Sequence, residues 1–394
     1  MRLTQTVGTE AGRYATESCA RGAPRQSGGG RRLAEARSLP LSYPGHGESH
    51  NVIAPFEERA RCSGCDGKAV NMGIVIIGSG NWGTTLAGLF NPQQPVRLWC
   101  HSQEFIEPTR RQLAQTAGTD KRRISIEVAF SSPLSADDIV IVAVPSAAVC
   151  DVARTIGEAC KRPLPLLVTA SKGLERSSFR TTSQMVTAVL PEATVAVLSG
   201  PNISKEIAAG RPAKAVLGCE EVHCLLRLAD ALSSDRLHLD MTRDKVDVEL
   251  CAAMKGVFAI GAGIIAQRQM GANFMGLLLT FGLREIVELS KFLKISTEHV
   301  FGVAGLGDLI ATCFSLDSRN VRLGQMLASG TAVKDALVKV EQVVEGATTA
   351  QTVSEMAALR LRLPLFAAIA GVIENPNEGA FERFERTLLE YPGA

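Results

Sequence analysis

Lys255 lies in Val248–Ile265, a run whose helical spacing is apolar almost throughout. Its neighbours one turn away are Cys251, Ala252, Phe258 and Ala259, so the helix itself supplies no carboxylate there. A lysine on such a face either snorkels to water or is held in place for chemistry. Burial disfavours the ammonium and brings the amine towards the range where it gives and takes protons. Asp308 and Thr312 stand one helical turn apart in the segment Gly302–Asn320. Asp308 also reads as a cap near a helix start. Arg319 and Asn320 close that segment, and a guanidinium beside an amide suits a phosphate or a carboxylate. Alone, an arginine such as Arg319 is more often a surface residue.

A second chemical signature is Gly78-Ser79-Gly80-Asn81-Trp82-Gly83, which follows the apolar run Ile74–Ile77 and opens a helix expected over Thr84–Phe90. This G-x-G-x-x-G between strand and helix is the context a dinucleotide requires. Gly78 permits the tight turn, Gly80 lets backbone approach a pyrophosphate, and Gly83 lets helix and strand pack closely. The pyrophosphate then meets free N–H groups at the helix N-terminus. A tight turn without a ligand is the competing reading.

The elements that must position these groups follow at βα spacing. Apolar runs at Val96–Trp99, Ile139–Val144, Leu166–Ala170 and Val195–Leu198 read as parallel strands covered on both faces. They end in His101-Ser102, Pro145-Ser146, Ser171-Lys172-Gly173 and Ser199-Gly200-Pro201. Ligands of open α/β sheets bind outside the carboxyl ends of strands, so these turns should ring one site. Lys172 is the only cation among these turn residues. No acid stands at the end of the second strand to grip an adenosine ribose, and His101 there would tolerate a 2′-phosphate, so NAD is not favoured over NADP. After Asp244 the alternation gives way to helical patterns. The expected fold class is α/β plus all-α, with an N-terminal Rossmann dinucleotide-binding domain over residues 72–250. A helical C-terminal substrate domain over 251–394 follows it.

The 394 residues suffice for two such cores. A net charge of +2 argues against nucleic-acid binding through a broad basic field. No apolar stretch is expected to span a membrane; Val257–Ala266 is the most tempting, and it is short and interrupted by glycine. Scattered cysteines suit reduced thiols in a cytoplasm. The close pair Cys62/Cys65 lacks a second pair or nearby histidines, and no metal centre is expected. Residues 1–71 are rich in Arg, Gly, Ser and Pro without periodicity, and are expected to be a disordered extension.

Together the motifs resemble the NAD(P)-dependent glycerol-3-phosphate dehydrogenases, most closely the bacterial type, from Met72 to about Arg386. The resemblance rests on Gly78–Gly83, Ser171–Glu175, Ser199-Gly200-Pro201 with Glu206, the Lys255 helix, and Gly305–Leu309 with Thr312-Cys313. It continues through Ser318-Arg319-Asn320 and ends at Val343–Gly346. It implies interconversion of dihydroxyacetone phosphate and sn-glycerol 3-phosphate, supplying glycerol 3-phosphate for phospholipid synthesis, in a cytoplasmic homodimer. By position it implies that Lys255 exchanges a proton with the substrate's C2 oxygen and that Lys172 touches both substrate and cofactor. It likewise implies that Asp308 and Thr312 orient the catalytic lysine and substrate hydroxyls. Gly200, Asn202, Ser318, Arg319 and Asn320 would bind substrate, the last two at its phosphate. NAD or NADP would be held by the glycine turn, Asn81, Trp82, His101, Lys172, Ser204, Arg319, Val343 and Glu345.

Two departures stand out. The family usually has asparagine after its catalytic lysine, where this chain has Gly256, and its Thr-Arg-Gly-Leu reads Thr280-Phe281-Gly282-Leu283 here. Arg284, close by, is expected to pair with Glu288. The alternatives are a related two-domain dehydrogenase acting on another hydroxy acid, or a non-catalytic NAD(P)-binding sensor. The retained Lys255, Lys172 and Asp308 argue against the sensor.

Overall fold

The computed structural model describes residues 73–392 apart from 91–93, 119–122, 161, 177, 341–342 and 358–360. The expected disordered extension and Cys62/Cys65 lie outside the described residues. Among the described residues eight strands form one sheet: β1 Ile74–Ile77, β2 Val96–Cys100, β3 Ile124–Val128, β4 Ile139–Val142, β5 Leu166–Thr169, β6 Val195–Ser199, β7 Ala213–Gly218 and β8 Leu237–Thr242. Their order is β3-β2-β1-β4-β5-β6-β7-β8, parallel throughout except where β7 runs against β6. The order reverses at β1, whose two neighbours are β2 and β4. β1 and β4 read Ile-Val-Ile-Ile and Ile-Val-Ile-Val and are buried at every position. Branched side chains on both faces are what a strand covered from two sides needs. The covering helices are α1 Asn81–Ala87, α2 Ile106–Gln115, α3 Val149–Ala159, α4 Thr182–Val189, α5 Ser204–Ala208 and α6 Val222–Leu232.

The helical half begins with α7, Lys245–Gln267, and continues with α8 Gly271–Phe292, α9 Asp308–Cys313 and α10 Arg319–Ala328. It ends with α11 Val333–Lys339, α12 Glu345–Ala357, α13 Pro364–Glu374 and α14 Glu378–Leu389. Both halves belong to one compact unit. α7 is longer than the apolar core visible in the sequence. Among the described residues it is the one helix long and apolar enough to cross a membrane, yet 94% of its apolar window is buried inside the protein. It is the central post of the helical core, with α8, α9, α10, α12 and α13 packed around it.

Two buried acids fasten this core. Glu249 on α7 accepts from the hydroxyls of Thr181 (2.7 Å), Thr182 (2.6 Å) and Ser183 (2.5 Å), and from the Ser183 N–H (2.7 Å). It thereby satisfies the N-terminal donors of α4 and ties the loop after β5 to the helix carrying Lys255. Glu285 on α8 does the same for α13, accepting from Leu365 N–H (2.7 Å), Phe366 N–H (2.8 Å) and the Tyr391 hydroxyl (3.2 Å). Burial pushes the Glu285 carboxyl up to about 7, against the lowering effect of those donors.

A pH dependence of stability follows. Between the ordinary carboxyl value of 4.5 and about 7 the folded chain holds a proton on Glu285 that the unfolded chain lacks, so stability falls as pH rises through this window. The effect is at most on the order of 3–4 kcal/mol, from about 1.4 kcal/mol per pKa unit. Across pH 4.5–7.5 the melting temperature of the native protein should therefore fall relative to that of Glu285→Gln as pH rises. Parallel curves would refute the assignment.

Candidate active site

Adjacent β1, β4, β5 and β6 run the same way, so the turns after them line up along one edge of the sheet. Gly78 there has φ +116°, and a Cβ on it would stand 2.4 Å from the Ala143 carbonyl oxygen. A Cβ on Gly83 would stand 1.9 Å from the Gly78 oxygen. These two glycines serve the packing of α1 against the sheet. Gly80 differs, because a Cβ there would meet nothing within 4 Å. Its backbone faces open space at the start of α1, the place a pyrophosphate needs. Trp82 Nε1 and both amide atoms of Asn202 are buried and have no hydrogen-bond partner. Buried polar atoms are normally paired, so donors and acceptors left over beside this edge fit a bound polar ligand. The residues present thus fit a dinucleotide.

The helical half brings its charged groups to the same edge. Asp308 is fully buried at the start of α9, after a wide turn over Val303–Gly307 in which Gly307 N–H reaches back five residues to Gly302. Such turns recur at functional sites. One Asp308 oxygen, Oδ1, takes the Lys255 ammonium and lies 3.4 Å from the Thr312 hydroxyl. The other, Oδ2, takes Lys172 at 2.8 Å. Lys172 also donates to the Gly200 carbonyl at 3.3 Å. One carboxylate therefore bridges two lysines, one from the turn after β5 and one from α7. The Lys255 side chain is 12% exposed. Burial lowers its pKa from the ordinary lysine range; Asp308 opposes this and the Lys172 charge adds to it. Burial wins, leaving an amine able to exchange a proton near neutral pH.

A third group lies at the ends of β4 and β5. Glu345, first residue of α12, accepts from Ser146 N–H (2.9 Å) and the Ser146 hydroxyl (2.6 Å), crossing from the helical half to the sheet. Gly173 lies against the same carboxylate, since a Cβ on it would be 2.8 Å from Glu345 Oε2. Arg319 opens α10 half-buried, and burial lowers its pKa while the Glu345 charge counters this. Ser318 caps α10 by accepting from Val321 N–H at 3.3 Å. Asn320 Oδ1 accepts from Gly346 N–H at 3.2 Å, joining α10 to α12.

Residues 73–225 match the N-terminal model of NAD-dependent glycerol-3-phosphate dehydrogenase, and residues 244–379 match the C-terminal model. The chain belongs to this family. A glycerol-3-phosphate dehydrogenase [NAD(P)+] of Synechococcus elongatus is 34% identical over 302 residues, covering 76% of this chain and 91% of that protein. A namesake in Mycobacterium avium is 31% identical over 335 residues, covering 81% and 95%. The solved glycerol-3-phosphate dehydrogenase of Coxiella burnetii superposes with a TM-score of 0.73 at 27% identity, covering 80% of this chain and 98% of that one.

The two departures from the dehydrogenase pattern are both packing features. A Cβ on Gly256 would stand 3.0 Å from Gly346 Cα, so this glycine lets α7 and the start of α12 approach closely. Phe281 stacks on Tyr391 at 4.1 Å and 7°, beneath the hydroxyl that serves Glu285. Arg284 lies over the same Tyr391 ring at 5.8 Å, and Glu288 pairs with Lys291 instead of with Arg284 as expected. Gly256 follows Lys255 directly and also borders Asn320, whose Nδ2 a Cβ there would meet at 3.4 Å; neither departure alters a charged group of the lysine pair.

Of the residues singled out in the sequence, Lys172, Gly200, Lys255, Asp308 and Thr312 converge. Ser318, Arg319, Asn320 and Glu345 gather at the α10–α12 junction. Asn81, His101 and Val343 are exposed and Ser204 is half-buried at the start of α5; these are not drawn into either group. Sequence reasoning placed Ser146 in a site-ringing turn without its Glu345 partner, and did not single out Glu249. A lone acid in an apolar helix was the available signal for Glu249.

Proposed function

We propose that this chain interconverts dihydroxyacetone phosphate and sn-glycerol 3-phosphate with NADH or NADPH. The observation that carries the reading is Asp308 holding Lys172 and Lys255 together at the sheet edge that also carries the glycine turn. NADH or NADPH supplies the hydride that the substrate's C2 accepts. In this reading Gly78–Gly83 with Asn81 and Trp82 receives the dinucleotide, aided by His101, Ser204, Val343 and Glu345. Lys172 and Arg319 face both ligands. Lys255 donates its proton to the oxygen developing negative charge at C2 and takes it back in the reverse direction. Lys172 adds a second positive charge at that oxygen. Asp308, with Thr312, fixes both ammonium groups before substrate arrives, so the transition state need not pay for their ordering. Arg319 and Asn320, with Ser318 beneath them, anchor the substrate phosphate, and Gly200 and Asn202 contact its body.

The division of labour, dinucleotide on residues 72–250 and substrate chemistry on 251–394, belongs to the same proposal. So do a homodimeric state and a cytoplasmic site of action, both carried by the family resemblance. The test is oxidation of NADH and of NADPH followed by absorbance. Dihydroxyacetone phosphate should support turnover, and unphosphorylated dihydroxyacetone at equal concentration should not. Equal rates with the two ketones would overturn the phosphate assignment at Arg319 and Asn320.

A further inference from the structure

At the opposite edge of the sheet lies a cluster that the dehydrogenase chemistry does not use. β7 runs against β6, so the turn after β7 lies beside the beginning of β6, away from Gly200 and the lysines. In that turn and the first turn of α6, Glu221, His223 and Cys224 bring a carboxylate oxygen, an imidazole nitrogen and a thiol sulfur together. Among the described residues it is the one group of three or more such side chains closed within 4.8 Å. Cys224 Sγ lies 3.2 Å from His223 Nε2 and 3.7 Å from Glu221 Oε2, and the nitrogen and oxygen lie 3.4 Å apart.

Those three edges describe a particular polyhedron. Zinc bonds of about 2.3 Å to sulfur and about 2.0–2.1 Å to nitrogen and oxygen, at tetrahedral angles, give edges of about 3.3–3.6 Å. The observed triangle agrees with one face of that tetrahedron to a few tenths of an ångström. The carboxylate is also oriented as a ligand would be. Thr194 Oγ1 donates to Glu221 Oε1 at 3.2 Å, leaving Oε2 turned to the thiol and the imidazole. Hydrogen-bonded outer partners of this kind are what hold metal ligands in register. Nearby cations are engaged elsewhere: Arg227 donates to the Asp137 carbonyl at 2.8 Å, and Lys245 pairs with Glu220 at 3.3 Å. The cysteine is buried, while the imidazole, 79% exposed, leaves the fourth corner to solvent. One sulfur, one nitrogen and one oxygen select zinc over magnesium or calcium.

We propose that Glu221 Oε2, His223 Nε2 and Cys224 Sγ bind a zinc ion, with water at the fourth position, at a site separate from the active site. The ion would tie the start of α6 to the start of β6 through Glu221 and Thr194. Spacing rules look for paired cysteines such as Cys62/Cys65, and Glu-x-His-Cys carries no such signature.

The test is titration of the full-length protein with cobalt(II), followed by displacement with zinc. Binding should give a thiolate-to-cobalt charge-transfer band in the near ultraviolet with visible bands of tetrahedral intensity, and zinc should abolish both. Cys224→Ser should remove the charge-transfer band. His223→Gln and Glu221→Gln, at exposed side chains that leave folding intact, should each weaken binding at least about tenfold, and Thr194→Val about 10-fold. Cys62→Ser with Cys65→Ser should leave the spectrum unchanged, and His223→Gln should leave turnover unchanged. Absence of the band, its persistence in Cys224→Ser, or its loss in the Cys62/Cys65 variant would each overturn the site.

Discussion

Lys255→Met should lower turnover by ~10²–10⁴-fold, the usual consequence of removing a proton donor, with a further loss from the missing charge at the alkoxide. The fold should survive. Methionine fits the apolar helix, and the change removes a buried charge from α7 while Asp308 keeps Lys172 as its partner. The Gly78–Gly83 turn is untouched, so NADH binding, followed by fluorescence, should remain near the native value. Lys255→Arg should fail as well, because a guanidinium scarcely releases its proton and its planar fork does not match the ammonium's place on Asp308. Turnover within a few fold of native in Lys255→Met would show that the lysine merely reaches for water, and would end this mechanism.

How legible the fold was depended on where each element is buried. β1, β4, β5 and β6 were readable because both faces are covered and the runs are apolar, and β2 because Arg97 interrupts its otherwise buried apolar run only once. β8, Leu-His-Leu-Asp-Met-Thr, alternates with exposed His238 and Asp240, and β3 at the other edge is only half-buried. β7 carries the exposed Lys214 in a short run. A search for uninterrupted apolar segments misses all three, since strands at or near a sheet's edge meet solvent. The first helix starts at Asn81 instead of Thr84 because Gly83 packs against the strand from within the helix's first turn.

The site was legible residue by residue but not as contacts. An amine on an apolar helix announces itself in the sequence; its counter-ion, 53 positions away, does not. The Ser146–Glu345 link spans 199 positions. Local spacing also assigned Asp308 two roles, cap or chemistry, and only burial among two ammonium groups decides between them. Phe281 stands where the family carries an arginine, and here it stacks on Tyr391, whose hydroxyl donates to Glu285.

Asp308→Asn should be the second large effect, and it acts on stability and on proton transfer at once. The amide preserves shape at the start of α9 but removes the charge that two ammonium groups share. Breaking a buried ion pair by removing one partner costs about 3–5 kcal/mol, because the remaining charge is left without compensation. Chemical denaturation should register a loss of that size. Asp308 also raises the Lys255 pKa against burial and Lys172. Without it the amine should lose its proton at lower pH, so the basic limb of ketone reduction should move to lower pH. The limb for alcohol oxidation should move the same way. A group that only supported packing would lower stability and leave both limbs in place, which is the outcome that would sink the assignment. Lys172→Met separates the two contributions further. Added to Asp308→Asn it removes the repulsion on Lys255, so the double variant should be less destabilised than the sum of the single ones. A simple sum would show that Asp308 does not couple the two lysines.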